Sequence, residues 1–246
     1  MEKANVFINY MSKHMQQVPS VSIDDLIKQA GGLDHVYLVF VDILKGFCEM
    51  GALSSARVNE MVQPSAQLAE ALQKKGLSSD HVIFLNDHHP QDAKEFSTFP
   101  PHCVRETDEA EVVHPLQTFA QQPGVNIFHK NATSGMFGVN ADGIRFHEWL
   151  EQVFTKETPL FLMIGDCTDL CIYQNAMGIQ LLANEKNADV QIIIPQSHVR
   201  TYDIPVEQAE QLGIMAHDAD LLDLVFLYHM KLNGIQVVPE VKLTVD

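Results

Sequence analysis

Four residues that can do acid-base or nucleophilic chemistry each stand at the end of a short apolar segment or just beyond it. They are Asp42, Asp87, Lys130 and Cys171: two carboxylates, an ammonium group and a thiol. A thiol becomes a strong nucleophile when it loses its proton, and a carboxylate can take that proton and later return it to a leaving amine. The set predicts covalent catalysis at Cys171, with Asp42 as the acid-base group and Lys130 as the cation.

Cys171 is the candidate nucleophile. Thr168 and Asp169 are typical of helix starts, so we expect Cys171 in the first turn of a helix. A helix N-terminus and a nearby cation such as Lys130 lower a thiol pKa from about 8.5, so this position predicts a thiolate. Taken alone, a free cysteine is more often a small buried apolar residue, and Asp42 is as consistent with a turn cap. The place of Cys171 beyond a strand favours the catalytic interpretation.

A second group of side chains has the spacing of metal ligands. Asp87 and His89 form an Asp-x-His pair, and His102 follows in the next loop. One carboxylate and two imidazoles make a three-ligand site with open positions for water or substrate, compatible with Zn, Fe or Mn. His88 is not counted among the ligands, because its side chain points away from the site if those of Asp87 and His89 point inward. The alternative is a set of loop residues with local hydrogen bonds.

These residues are positioned by alternating strands and helices. Alternation of this kind predicts a parallel sheet with helices on both faces, and ligands bind such sheets at the carboxyl ends of the strands. The predicted strands, read as buried on both faces, are Val36 to Val41, Val82 to Leu85, Val125 to Phe128, Leu160 to Ile164, Val190 to Ile194 and Ile235 to Val238. The predicted helices are Arg57 to Lys75, Glu109 to Gln121, Gly143 to Phe154, Asp169 to Asn184 and Ala219 to Leu232.

The first 35 residues do not follow this alternation. Ser22 to Gln29 is typical of a short helix with Ser22 as its cap, and the Gly31-Gly32 pair predicts a turn before the first strand. We therefore expect a partly helical N-terminal extension over residues 1–35 and one catalytic domain over residues 36–246. A chain of 246 residues is within the size range of a single α/β domain.

Composition restricts the partners and the compartment. The formal charge of -16 excludes the phosphate backbone of a nucleic acid as the expected partner, because that binding depends on Lys and Arg. Four cysteines are too few to stabilise a domain of this size through disulfides, so we expect free thiols. There is no apolar stretch of about 18 residues, as a membrane span would need. A cytoplasmic protein without membrane contact is the expectation.

The motifs together resemble the isochorismatase-like cysteine hydrolase family, in its nicotinamidase branch. The resemblance runs from about Val36 to the C-terminus, with the motifs in family order. Asp, Lys and Cys at these positions are diagnostic of the superfamily, and Asp-x-His followed by Pro-x-His-Cys indicates the branch. The segments concerned are Val39-Phe40-Val41-Asp42 with Phe47, Asp87-His88-His89-Pro90, Pro100-Pro101-His102-Cys103, Lys130, and Gly165-Asp166-Cys167-Thr168-Asp169-Leu170-Cys171.

The resemblance implies a fold and a complete active site. The fold is a Rossmann-like α/β/α arrangement of three layers around a six-stranded, mainly parallel sheet. A cis peptide joins Asp166 to Cys167 in this pattern. The implied site has the triad Asp42, Lys130 and Cys171, an oxyanion hole from the backbone N–H groups of Cys167 and Cys171, pocket walls from Phe47 and from Phe99 (at a position where Trp is usual), and the metal ligands Asp87, His89 and His102.

The activity implied by the resemblance is hydrolysis of nicotinamide to nicotinate and ammonia through a cysteine thioester, a step of NAD metabolism and pyridine nucleotide salvage. Zinc is the first expectation for the metal, which in nicotinamidases engages the pyridine nitrogen; iron and manganese are alternatives. We expect a homo-oligomer. A ureido, carbamoyl or other small amide is the alternative substrate, and a non-catalytic binding protein on the same fold is the least favoured interpretation.

Overall fold

The centre of the molecule is a parallel β-sheet. The computed structural model describes residues 2–243, and its strands run in the order β4-β3-β2-β5-β6-β8, with the short strand β7 added beside β5. All pairs are parallel, so the predicted six-stranded parallel sheet is confirmed. The strands are β2 Val36–Val41, β3 Val82–Asp87, β4 Asn126–Lys130, β5 Leu160–Asp166, β6 Gln191–Pro195, β7 Val199–Arg200 and β8 Gln236–Val238.

Helices cover both faces of the sheet, which makes the predicted three layers. Alternate residues of β2 and β5 pack into two apolar clusters: one holds α2 to α6, and the other holds α7, α8, α10 and the end of α1. The helices are α1 Glu2–Gln16, α2 Ile23–Ala30, α3 Lys45–Cys48, α4 Ala56–Asn59, α5 Val62–Lys74, α6 His114–Ala120, α7 Phe146–Phe154, α8 Tyr173–Lys186, α9 Val206–Leu212 and α10 Ala219–Leu232.

Two predicted helices are divided or begin late at a proline. The segment predicted as Arg57 to Lys75 is divided into α4 and α5, with Pro64 in the first turn of α5. The segment predicted from Glu109 begins as a helix only at His114, next to Pro115. Proline has no N–H to donate and is tolerated in a first turn, so it marks a helix start rather than an interior.

Strand β4 is not buried on both faces, so that part of the strand prediction is wrong. It lies at one edge of the sheet. Phe128 and Lys130 are buried, whereas His129 between them is exposed. Alternation is the pattern of a strand with one covered face. This alternation directs the side chain of Lys130 toward the protein interior at the end of β4.

The N-terminal segment contains more helix than predicted. The cap of α2 is confirmed, since Ser22 Oγ accepts a hydrogen bond from the backbone of Asp25 at 3.0 Å. Helix α1 was not predicted, because only Met11 and Met15 are buried along its length. β1 (Val21–Ser22) pairs with β9 (Val241–Lys242) in a second, two-stranded parallel sheet. Among residues 2–243, none of the helices is long and apolar enough to cross a membrane.

Candidate active site

The candidate residues meet at the carboxyl edge of the sheet because neighbouring strands end there together. Asp87 is the last residue of β3 and lies in register with Lys130, the last residue of β4. Asp42 follows β2 directly, in a left-handed conformation (φ 53°) that aspartate tolerates better than most residues. Its Oδ1 accepts a hydrogen bond from the backbone N–H of Asp87 at 2.7 Å, which fixes the carboxyl group.

A close approach between β2 and β5 brings the thiol to the same place. Gly165 has φ 130°, and a Cβ there would lie 1.9 Å from the carbonyl oxygen of Val41. Only glycine fits this contact. Because the chain passes so near to β2, the turn that begins at Cys167 carries Cys171 to the end of β2, where Asp42 lies.

Lys130 is the centre of the predicted triad. Its Nζ lies 2.7 Å from Asp42 Oδ2, 2.5 Å from Asp87 Oδ1 and 3.7 Å from Cys171 Sγ. All four side chains are buried. The structure therefore brings together the two carboxylates, the ammonium group and the thiol that stood apart in the sequence.

The charges of this cluster depend on one another. Burial by itself would lower the pKa of Lys130, but the charges of Asp42 and Asp87 raise it well above its usual value. Burial and the charge of Asp87 raise the pKa of Asp42 to about 6, although Lys130 acts in the opposite direction. Lys130 therefore stays charged between the two carboxyl groups.

The resting thiol differs from the prediction. Cys171 lies in a π-helical turn, Thr168–Ile172, which leads into α8. Burial raises the pKa of Cys171 well above its usual value, and Asp42 adds to this while Lys130 opposes it. The expectation that a helix N-terminus and a cation lower the pKa of Cys171 is therefore wrong, because the removal of the thiol from solvent outweighs both effects. The thiol holds its proton until a base removes it.

Asp87, His89 and His102 form a buried cluster that could hold a metal ion. Their ligand atoms lie within 4.8 Å of one another. His89 Nδ1 donates to Asn131 Oδ1 and His102 Nδ1 donates to the carbonyl of Pro100, both at 2.8 Å. In the neutral form of each ring the lone pair is therefore on Nε2, which lies 3.4 Å (His89) and 3.7 Å (His102) from a carboxylate oxygen of Asp87. His89 Nε2 has no hydrogen-bond partner among the described residues.

This arrangement fits a metal. Imidazole ligands are usually oriented by a hydrogen bond from the other ring nitrogen, and both histidines have one. His88, excluded by its predicted direction, does not join the cluster; its ring packs against that of His129.

An open pocket connects the thiol with Asp87 and His102 of the metal-compatible cluster. Phe47 and Phe99 are part of its wall, as expected, with ring centres 5.5 Å and 6.4 Å from that of His102. Cys167 borders the pocket together with Cys171, and the peptide bond from Asp166 to Cys167 is cis, as the resemblance implied.

Several residues of the pocket were not assigned a role from the sequence. Asp166 had a signal, because it ends a strand as the other polar candidates do. The others lie in loops and turns without periodicity, where sequence spacing gives no direction. These pocket residues are Leu53, Glu95, Thr133, Asp166, Leu170 and Tyr202.

The π-helical turn is held by polar contacts on two sides. Asn175 donates to the carbonyl of Cys171 at 2.8 Å and accepts from the backbone of Gly135 at 2.7 Å. Asp169 accepts from Thr201 at 2.5 Å and lies 2.9 Å from His217 Nε2. These contacts tie the nucleophile's turn to the loops around the pocket.

Known proteins resemble this chain in sequence and in fold. Nicotinamidase 1 of Arabidopsis thaliana is 27% identical over 220 residues, which cover 84% of this chain and 86% of that protein. Nicotinamidase/pyrazinamidase of Mycobacterium tuberculosis is 30% identical over 153 residues, 56% of this chain and 75% of that protein. The crystal structure of N-carbamoylsarcosine amidase from Thermoplasma acidophilum has a TM-score of 0.58 at 20% identity, covering 86% of this chain and 98% of that one.

The family model of the isochorismatase domain matches residues 36–195. This range contains the ends of β2, β3, β4 and β5 and the turn of Cys171, where the described cluster lies. The protein belongs to the isochorismatase family, in the branch of its nicotinamidase relatives.

Proposed function

We propose that this protein is a cysteine amidohydrolase that converts nicotinamide to nicotinate and ammonia. One observation carries the proposal. The thiol of Cys171 lies 3.7 Å from the ammonium group that bridges Asp42 and Asp87, in a pocket lined also by two phenylalanine residues and by Asp87 and His102 of the Asp-His-His cluster. The nicotinamidase relatives support this substrate.

In the proposed mechanism Asp42 first takes the proton of Cys171, and Lys130 stabilises the thiolate. The sulfur attacks the carboxamide carbon, and the developing oxyanion accepts hydrogen bonds from the backbone N–H groups of Cys167 and Cys171. Donors of this kind stabilise a transition state by about 3 kcal/mol each. A base is needed because the buried thiol holds its proton at rest.

The intermediate then loses ammonia and becomes a thioester. Asp42 returns its proton to the leaving nitrogen as the C–N bond breaks. A water molecule next gives a proton to Asp42 and attacks the thioester carbon, and the C–S bond breaks. The acid is released and Cys171 regains its proton. The net reaction consumes one amide and one water and yields one acid and one ammonia.

Asp87, His89 and His102 would hold a divalent transition metal, with zinc as our first choice. When bound, such an ion supplies a Lewis acid that can engage the ring nitrogen of the substrate. Phe47 and Phe99 would stack on the two faces of the pyridine ring, which orients the carboxamide toward Cys171.

The second candidate is the same chemistry on a ureido or carbamoyl compound. The similarity in fold to an N-carbamoylsarcosine amidase favours it. Nicotinamide remains our choice because of the Asp-His-His cluster, which we propose to act on a ring nitrogen, and because both sequence relatives are nicotinamidases.

Ammonia release by the purified protein tests the proposal. We expect release from nicotinamide and none above background with Cys171→Ala. The matched control is Cys48→Ala, which removes another buried thiol that does not border the pocket and should keep most of the activity. Activity in Cys171→Ala would contradict the mechanism. Release from an N-carbamoyl amino acid but not from nicotinamide would favour the second candidate.

A further inference from the structure

Asp166 is a buried carboxyl group without a task in the mechanism described above. It is the last residue of β5 and only 1% exposed. It continues the alternation of Leu162 and Ile164, so its side chain lies on the face of the sheet that α3 covers with Phe47 and Cys48. It is also part of the pocket wall, next to Cys167.

Neither carboxyl oxygen of Asp166 has a hydrogen-bond partner among the described residues. An unsatisfied buried polar group opposes folding. Burial raises the pKa of Asp166 well above its usual value, and the charge of Asp42 adds to this while Lys130 opposes it. A leucine at the end of this apolar strand would avoid that cost, so the carboxyl group is not explained by the stability of the fold.

Asp166 lines the same pocket as Cys171 and Cys167. The charged groups near enough to affect it are Asp42, Lys130 and Asp87, the same groups that surround the thiol. A substrate whose carbonyl carbon meets Cys171 would therefore have its leaving group in this neighbourhood. An amide nitrogen has two N–H groups that need acceptors. Asp42 faces the site from the end of β2, and Asp166 faces it from the end of the neighbouring strand β5.

We propose that Asp166 is a specificity-determining residue whose free oxygen accepts a hydrogen bond from the amide nitrogen of the substrate. The assignment rests on the proposed function, and it makes the pocket selective for primary carboxamides, including the terminal amide of a ureido group. A neutral carboxyl group still accepts through its carbonyl oxygen. An ester has no N–H to offer, so it leaves Asp166 unsatisfied.

The test compares nicotinamide with methyl nicotinate in the wild type, Asp166→Leu and Asp166→Asn. Both substrates present the same ring and need the same thiol, so the ester is an internal control for folding and for the catalytic residues. We expect Asp166→Leu to lower kcat/KM for the amide about tenfold relative to the ester, as the loss of one hydrogen bond predicts. Asp166→Asn, whose Oδ1 can still accept, should keep the wild-type ratio within about threefold.

Binding provides a second measurement that does not depend on turnover. In the Cys171→Ala background, the dissociation constants for nicotinamide and methyl nicotinate should show the same preference, and Asp166→Leu should remove it. Melting temperatures complete the set: we expect Asp166→Leu to melt no lower than the wild type, because it removes an unsatisfied polar group.

The outcomes separate this inference from the proposed function. Equal losses for amide and ester in Asp166→Leu, or an unchanged ratio, would overturn the role of Asp166 while leaving the amidohydrolase intact. A lower melting temperature with an unchanged ratio would make Asp166 a structural residue. A wild type that neither hydrolyses nor binds nicotinamide, yet acts on an N-carbamoyl amino acid, would reject the nicotinamide proposal. The ratio of that ureido substrate to its carbamate ester analogue would then test Asp166.

Discussion

Lys130 shows how single residues determine the chemistry of this site. It is a fully buried cation shared by two carboxylates, and without it Asp42 and Asp87 would repel each other in a region of low dielectric constant. Cys171 depends on the same balance, because burial and the charge of Asp42 raise the pKa of its thiol while Lys130 opposes them. The three residues form one electrostatic unit.

The two histidines of the Asp-His-His cluster support a prediction about metal content. We expect about one divalent metal ion per chain in the wild type and a small fraction of that in His102→Ala, because three protein ligands are the minimum for such a site. The measurement is elemental analysis after dialysis. The control is His88→Ala, whose ring packs against His129 outside the cluster and whose loss should leave the metal content unchanged.

A full equivalent of metal in His102→Ala would contradict the assignment of the ligands. A wild type that takes up no metal even after incubation with zinc would reject the metal site and favour the ureido or carbamoyl substrate, for which we expect no metal.

Gly165 shows how strand packing positions the nucleophile. Gly165→Ala would combine a strained positive φ, roughly 1–2 kcal/mol, with overpacking against Val41 of roughly 1–3 kcal/mol. We therefore expect a large loss of stability in urea denaturation, together with loss of activity. Gly213→Ala is the control, since Gly213 has φ 65° but nothing within 4 Å of its Cβ position. Equal effects of both substitutions would show that the close contact of β5 with β2 is unimportant.

The Asp169–His217 contact predicts a pH-dependent stability. His217 Nδ1 lies 2.8 Å from the carbonyl of Tyr202, which can only accept, so with Nε2 directed at Asp169 the ring is protonated at both nitrogens. Burial lowers the pKa of His217, but the bond to Asp169 outweighs it and raises the pKa above its usual value. Burial would raise the pKa of Asp169, but His217 and Thr201 hold it below its usual value.

The sign follows from these two directions. The stabilisation that His217 contributes to the folded state is complete below its unfolded pKa of about 6.5, and it is lost as pH rises through the higher folded pKa. The stabilisation that Asp169 contributes is present above its unfolded pKa of about 3.9, and it is lost as pH falls through the lower folded pKa. His217→Asn should cost about 1–3 kcal/mol near pH 6 and less at pH 9, measured by denaturation. The control is His81→Asn, because the ring of His81 makes its hydrogen bond to the carbonyl of Val36 and not to a carboxylate. A loss that does not depend on pH would contradict the ion pair.

At the level of secondary-structure elements, the sequence predicts the features that depend on a periodic apolar pattern or on residues close together in the chain. Six strands and the layer arrangement followed from apolar runs, and the convergence of Asp42, Asp87, Lys130 and Cys171 followed from the parallel sheet. Helix boundaries at Pro64 and Pro115 could have been predicted from the proline rule. Helix α1 could not, since its helical pattern has only two buried residues and depends on packing against α10. The loop that brings Tyr202 to the pocket of the thiol depends on tertiary contacts that no local spacing encodes.

On the scale of the whole molecule, the N-terminal segment lies in the same apolar cluster as the sheet. Ile23 and Leu26 are fully buried with β2 and β5. Leu26→Ala should therefore destabilise the fold by about 2–5 kcal/mol, as cavities in cores do. Trp149, the single tryptophan, packs on Tyr37 at the opposite face of the sheet, and its fluorescence reports the unfolding of the central domain.

The control is Val6→Ala on the exposed face of α1, where Val6 is 66% exposed and a change within about 0.5 kcal/mol is expected. If Leu26→Ala leaves the Trp149 transition unchanged, residues 1–35 fold separately from the domain that follows.

The pairing of β1 with β9 gives this molecule a particular order of assembly during synthesis. Val21 pairs with Val241, so the two partners are separated by almost the entire chain. The N-terminal partner leaves the ribosome first and remains unpaired until Val241 has also been translated. Residues 36–195, with every proposed catalytic and metal-binding residue, emerge before that contact can form. A nascent chain stalled before Val241 would thus contain the whole catalytic apparatus while its first strand still lacks a partner.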